Sequence, residues 1–221
     1  LLIIQLLLLK PGYALAQSSF LPKVDVFFIV DLSGSFFDDL PKFKTAAPQI
    51  ITALVGVGLD VHFGLARFED YPINPFGSQG CADKGYERVL DISSPTLDSH
   101  SNGTPDILER INGLFIKCGN DGPQSQLPSL FQAATGAGQN LGSVGFANAS
   151  IPANQQANFR SGALPIVILW TDARFHLPGD PGAIPYPGPS FQDTINALNT
   201  KGIKVIGIGV NAFGNTLGDL A

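Results

Sequence analysis

Residues 24–35 read Val24-Asp25-Val26-Phe27-Phe28-Ile29-Val30-Asp31-Leu32-Ser33-Gly34-Ser35. The first seven are almost continuously apolar or β-branched, the pattern of a strand buried on both faces, as in a parallel sheet covered by helices. Three more stretches have the same character: Val61–Phe68, Leu164–Trp170 and Ile203–Val210. Helical stripes separate them. Leu40, Phe43, Ala47, Ile50, Ile51 and Leu54 recur every three or four residues, as do Ile107, Leu108, Ile111 and Leu114, then Leu127, Leu130, Phe131 and Ala134. Phe191, Ile195 and Leu198 make a fourth stripe, ended by Gly202. Pro48 predicts a kink or irregular stretch in the first helix. Strand–helix alternation of this kind predicts an α/β fold, a doubly wound, mostly parallel sheet flanked by helices.

In such a sheet ligands bind at the carboxyl ends of the strands, near the switch in strand order. Asp31, Ser33 and Ser35 fall at that address, alternately spaced in a turn, so that their side chains can converge. One carboxylate and two hydroxyls are hard oxygen donors, suited to Mg2+, Mn2+ or Ca2+. The bland reading of the same residues is a helix N-cap. Asp172 directly follows another buried strand and has the same address, with a Pro/Gly-rich loop (178–189) rather than a helix after it.

Bulk properties narrow the partner class. The formal net charge is −5 and basic side chains form no cluster, which argues against a nucleic-acid partner. Residues 1–16, with two leucine-rich runs ending in Ala14-Leu15-Ala16, read as a secretory signal peptide too short to span a bilayer. No membrane span is expected beyond it. Export fits the two cysteines, Cys81 and Cys118, which would pair in an oxidising compartment; two buried free thiols are the alternative. His62, His100 and His176 share no ligand spacing; His62 reads as structural, and His176 lies in the loop after Asp172. Leu217–Ala221 reads as the opening of another helix, so the domain, taken as residues 23–221, is expected to continue past Ala221.

The strand, the Asp31-x-Ser33-x-Ser35 turn and the following helix resemble the metal-ion-dependent adhesion site of the von Willebrand factor A family, and in particular the I-like domain of integrin β subunits. Secreted bacterial A-domains are similar. The resemblance extends over Phe63–Asp70, Asn120-Asp121-Gly122-Pro123-Gln124 and Ile168–Ala173. It implies a main cation site of Asp31, Ser33, Ser35, Asp172 and Gln124, with Mg2+ preferred. It implies an adjacent site at Asp38 and Asp39, though acids in a first helical turn also stabilise the helix dipole without metal. A third site would use Asp70, Asp121 and Pro123. Two departures stand out: Gln124 replaces a family Glu, and Gly119 replaces a family Asn. An amide oxygen can ligate but brings no charge.

The function so implied is a secreted or cell-surface adhesion module that captures a carboxylate of a partner protein through the cation. The competing expectation is a structural extracellular domain whose metal only stabilises the fold. A hydrolase would need a general base near the metal; the nearby acids are already assigned as ligands, so no enzyme activity is expected.

Overall fold

The computed structural model describes residues 21–209. The signal-peptide residues 1–16 and the helix expected at 217–221 lie outside them. Five strands form one sheet: β1 (Lys23–Asp31), β2 (Asp60–Phe68), β3 (Glu87–Ser93), β4 (Leu164–Thr171) and β5 (Lys204–Gly209), in the order β3-β2-β1-β4-β5. All pairings are parallel except β2 with β3. Four helices flank the sheet: α1 (Leu40–Gly56), α2 (Asp106–Asn112), α3 (Gln126–Thr135) and α4 (Phe191–Lys201).

β1 is central because both of its faces are apolar, and its side chains alternate between two cores. Val26, Phe28 and Val30 pack with Phe43 and Ala47 of α1 and Ile107 and Ile111 of α2. Phe27 and Ile29 face the opposite layer, with Leu130 and Ala133 of α3 and Leu198 of α4. Aromatic rings fix the first layer: Phe43 meets Phe28 and Trp170 edge to face, at centroid separations of 5.9 and 5.3 Å.

Three details differ from or extend the sequence reading. β3 was not anticipated: Glu87-Arg88-Val89-Leu90-Asp91-Ile92-Ser93 carries three charges, as an edge strand does, and lacks an uninterrupted apolar run. α1 runs through Pro48 without a break. The bond that Pro48 cannot donate would have gone to Lys44, on a partly exposed flank where water can substitute. β5 has the expected composition but is largely exposed along the edge of the described sheet. Gly202 ends α4 at φ +66°, the left-handed conformation that glycine adopts without strain. Among the described residues, no helix is long and apolar enough to cross a membrane.

From β1 the chain moves outward one way to β2 and β3; β4 and β5 lie on the other side. The switch in strand order therefore falls between the carboxyl ends of β1 and β4, where Asp31 and Thr171-Asp172 stand.

Candidate metal centre

Asp31 ends β1 with its side chain fully buried. Its two oxygens are held from both strands: Ser33 N–H donates to Oδ1 at 2.8 Å, and Thr171 Oγ1 donates to Oδ2 at 2.6 Å. Ser33 Oγ lies 3.3 Å from Ser35 Oγ, which donates to Asp172 Oδ1 at 3.1 Å. The four residues picked out at the strand ends thus form one continuous polar chain across the β1–β4 switch. The turn is held in place by Gly34, whose N–H donates to the Cys118 carbonyl. A side chain at Gly34 would crowd that same carbonyl, its Cβ at 3.0 Å.

Gln124 reaches the site through tertiary structure. Its N–H donates to the Arg174 carbonyl at 2.9 Å and its carbonyl accepts from His176 N–H at 3.1 Å, so the 120–124 loop is laced to the segment after Asp172. Gly119, at φ +61°, separates Gln124 from Ser33: a Cβ there would stand 2.8 Å from Gln124 Oε1 and 2.9 Å from Ser33 Cβ. Gln124 Nε2 donates to the Asp121 carbonyl at 2.9 Å, while its buried Oε1 has no hydrogen-bond partner. A buried acceptor left unpaired costs about 1–3 kcal/mol, and a cation is one group that would satisfy it.

The electrostatics point the same way. Burial, with a smaller contribution from Asp172, raises the Asp31 pKa from its ordinary 3.8 to about 7. Burial also raises Asp172, and repulsion from Asp39 and Asp38 adds to it. Four acids therefore sense one another at one end of the sheet. Asp38 is exposed, and the largely buried Asp39 pairs with Lys42 Nζ at 2.6 Å. A hard-oxygen set with excess negative charge and an unpaired buried acceptor fits a divalent cation.

Glu69 was missed as a candidate, although it follows β2 at the same topological address as Asp31. It is buried between Arg67 Nη1 (2.6 Å) and the Lys84 N–H (2.8 Å), and burial raises it to about 7. His176, which the sequence puts in the loop after Asp172 and in reach of a ligand, is buried among acids. Its ring sits among Asp70, Asp121 and Asp180, with nitrogen–oxygen distances of 3.2, 3.2 and 2.8 Å. Burial opposes a charge on this ring, but the Asp121 carboxylate aligned on Nε2 and the negative charges of Asp70 and Asp180 beside the ring outweigh it and raise the pKa to about 10. Asp70 and Asp121 are thus brought together around His176, with Pro123 partly buried in the same loop as Asp121. The spacing of these residues in the chain, 70, 121 and 176, carries no local signal. Cys81 and Cys118 form a disulfide with Cα atoms 5.9 Å apart.

No family model matches the chain. It is 23% identical over 168 residues to integrin beta-PS of Drosophila melanogaster, a match covering 71% of this chain and 17% of the integrin. The chain therefore spans less than a fifth of that relative. Among solved structures it is similar to proximal thread matrix protein 1 from the mussel byssus, with a TM-score of 0.52 and 16% identity over 85% of this chain and 38% of that one. It is also similar to the pilus adhesin SpaC from Lactobacillus rhamnosus GG, with a TM-score of 0.52 and 17% identity over 86% of this chain and 25% of that one. These structural likenesses concern the fold. The sequence match adds a distant relationship to an integrin β subunit.

Proposed function

We propose that the chain is a von Willebrand factor A-type adhesion module, acting outside the cell, that binds a carboxylate of a partner protein through a divalent cation, Mg2+ by preference. The observation that carries this reading is the polar chain Asp31–Ser33–Ser35–Asp172 at the β1–β4 switch, with the unpaired Gln124 Oε1 beside it. Those five residues would hold the ion. Bound there, it supplies a Lewis-acidic position for an incoming carboxylate oxygen. The chain's own residues do the positioning: Thr171 and the Ser33 N–H orient Asp31, and the loop behind Gln124 is pinned to Arg174 and His176. The distant similarity to integrin beta-PS supports an adhesion-type role, and the disulfide is in keeping with an extracellular setting.

Binding rather than catalysis is our reading because Glu69, a further buried acid that senses the Asp31 charge, is already engaged by Arg67 and the Lys84 N–H. The alternative, a metal that only stabilises the fold, draws on the neutral Gln124. A panel of Asp- and Glu-containing peptides, with methyl-esterified copies as controls, separates the two when Mg2+ is titrated against both peptide capture and thermal stability. We expect Mg2+-dependent capture of acidic peptides alone, abolished in Asp31→Asn. Gln124→Glu should tighten Mg2+ on the order of tenfold, about 1.4 kcal/mol. Stabilisation by Mg2+ without capture of any acidic peptide overturns the adhesion reading.

A further inference from the structure

Behind the 120–124 loop is a second cluster built from different residues. Asp70 Oδ2, Asp121 Oδ1 and His176 Nε2 lie within 4.8 Å of one another. Asp70 is completely buried, and its other oxygen, Oδ1, is saturated by Tyr71 N–H (2.6 Å), Ser125 Oγ (2.8 Å) and Tyr186 Oη (3.1 Å). Those donors hold the carboxylate in one orientation. Its Oδ2 accepts no hydrogen bond, although His176 Nε2 is only 3.2 Å away. The ring nitrogen is aligned instead on Asp121 Oδ1, also at 3.2 Å. A buried carboxylate oxygen with no aligned donor requires an explanation, and an ion between the three atoms provides one.

The remaining contacts of His176 favour a metal. Its Nδ1 is 2.8 Å from Asp180 Oδ2, which also accepts from Leu177 N–H at 3.0 Å. This is the carboxylate–histidine arrangement that orients an imidazole so that its other nitrogen ligates. The ring is stacked on Tyr186 at a centroid distance of 4.2 Å and meets Phe76 edge to face at 5.0 Å, so it is locked in place. Ligands about 2.0–2.1 Å from one tetrahedral ion stand roughly 3.3 Å apart, close to both nitrogen–oxygen separations. Two carboxylates and one imidazole suit a borderline transition metal better than Mg2+ or Ca2+, which favour oxygen alone.

We propose that Asp70 Oδ2, Asp121 Oδ1 and His176 Nε2 form a separate site for a transition metal of the Zn2+ class. This differs from the all-oxygen third site implied by sequence resemblance, because His176 brings a nitrogen to the cluster. It does not depend on the Asp31 site or on the adhesion reading. On binding, the metal takes the place of the proton on Nε2.

The test uses the chelator-stripped full chain at pH 8 in saturating Mg2+, which occupies the all-oxygen Asp31 site, titrated with Zn2+ by calorimetry and with Co2+ by visible absorption. One equivalent of each should bind, with Co2+ giving the intense bands of a tetrahedral nitrogen–oxygen site. His176→Ala should abolish both signals. Asp180→Asn should weaken Zn2+ about 10–100-fold, and Asp31→Asn should leave Zn2+ binding unchanged. Asp121→Asn, on the partly exposed loop, serves if His176→Ala does not fold, as judged by Trp170 fluorescence, and should also lose the signal. Failure of the wild-type chain to bind either metal overturns the proposal and leaves His176 as the cation that joins three acids. Zn2+ binding that survives His176→Ala, or that disappears in Asp31→Asn, overturns it equally.

Discussion

Asp31 combines complete burial, two protein hydrogen bonds and a neighbouring acid, and that combination makes its ionisation a stability question. In the unfolded chain it titrates near 3.8, whereas in the metal-free fold its pKa is raised to about 7. The folded state therefore holds this proton more tightly, and the associated stability, full below the unfolded value, is lost as pH rises from about 4 to about 7. A shift of this size corresponds to a few kcal/mol. The chelated protein should show a falling melting temperature across that window, with Mg2+ restoring most of the loss at pH 8. Asp31→Asn, which cannot ionise, should melt higher than wild type at pH 8 without metal and should gain nothing from Mg2+. A metal-free wild type whose melting temperature does not fall over the window contradicts the assignment. At this scale the Asp31-Ser33-Ser35 turn was legible in the sequence because its residues are contiguous and follow a buried strand. Glu69 and His176 were not: burial of Glu69 between Arg67 and the Lys84 N–H, and the approach of Asp70 and Asp121 to His176, are set by the folding of loops that no local spacing announces.

The elements were largely legible wherever one periodicity ruled a whole segment. β1, β2 and β4 are apolar on both faces because helices cover both, and α1, α3 and α4 each show a single stripe. β3 escaped because an edge strand paired on one side needs no continuous apolar run. What fastens the strands at their amino ends was not legible either, since it depends on one residue of an irregular segment. Arg160 donates to Asp25 through its Nε (2.7 Å) and backbone N–H (2.6 Å), and to Asp60 through Nη1 (2.7 Å), joining the starts of β1 and β2. Asp25 is fully buried, so removing the guanidinium strands a buried charge, at a cost of about 3 kcal/mol. Arg160→Ala should lower the urea midpoint accordingly, with Arg160→Lys recovering part of the loss. Asp25 is six residues before Asp31, or roughly 20 Å along the strand, so Mg2+ affinity should stay at the wild-type value. A parallel fall in affinity would mean that the two ends of the sheet are coupled.

Across the molecule, the loops that enclose the two candidate metal centres come from separate parts of the chain, and one covalent link spans them. Cys81 lies in the loop after β2, which begins with Glu69 and Asp70; Cys118 immediately precedes Gly119 and the Asp121–Gln124 loop. The Cys118 carbonyl accepts from Gly34 in the metal-site turn, and the N–H groups of Cys118 and Gly119 donate to Asp83, at 3.2 and 2.9 Å. The disulfide therefore closes a loop while its backbone supports the site. Loop closure over the 37-residue separation corresponds to about 4 kcal/mol of unfolded-state entropy. In Cys81→Ser/Cys118→Ser, unfolding followed by the single tryptophan, Trp170, should lose stability of that order. Mg2+ affinity should fall by a smaller factor, because the backbone hydrogen bonds from Gly34 and to Asp83 do not need the sulfur atoms. Unchanged stability in the double variant would place the constraint in those hydrogen bonds. A Mg2+ affinity that collapses while stability holds would instead make the disulfide a direct organiser of the site.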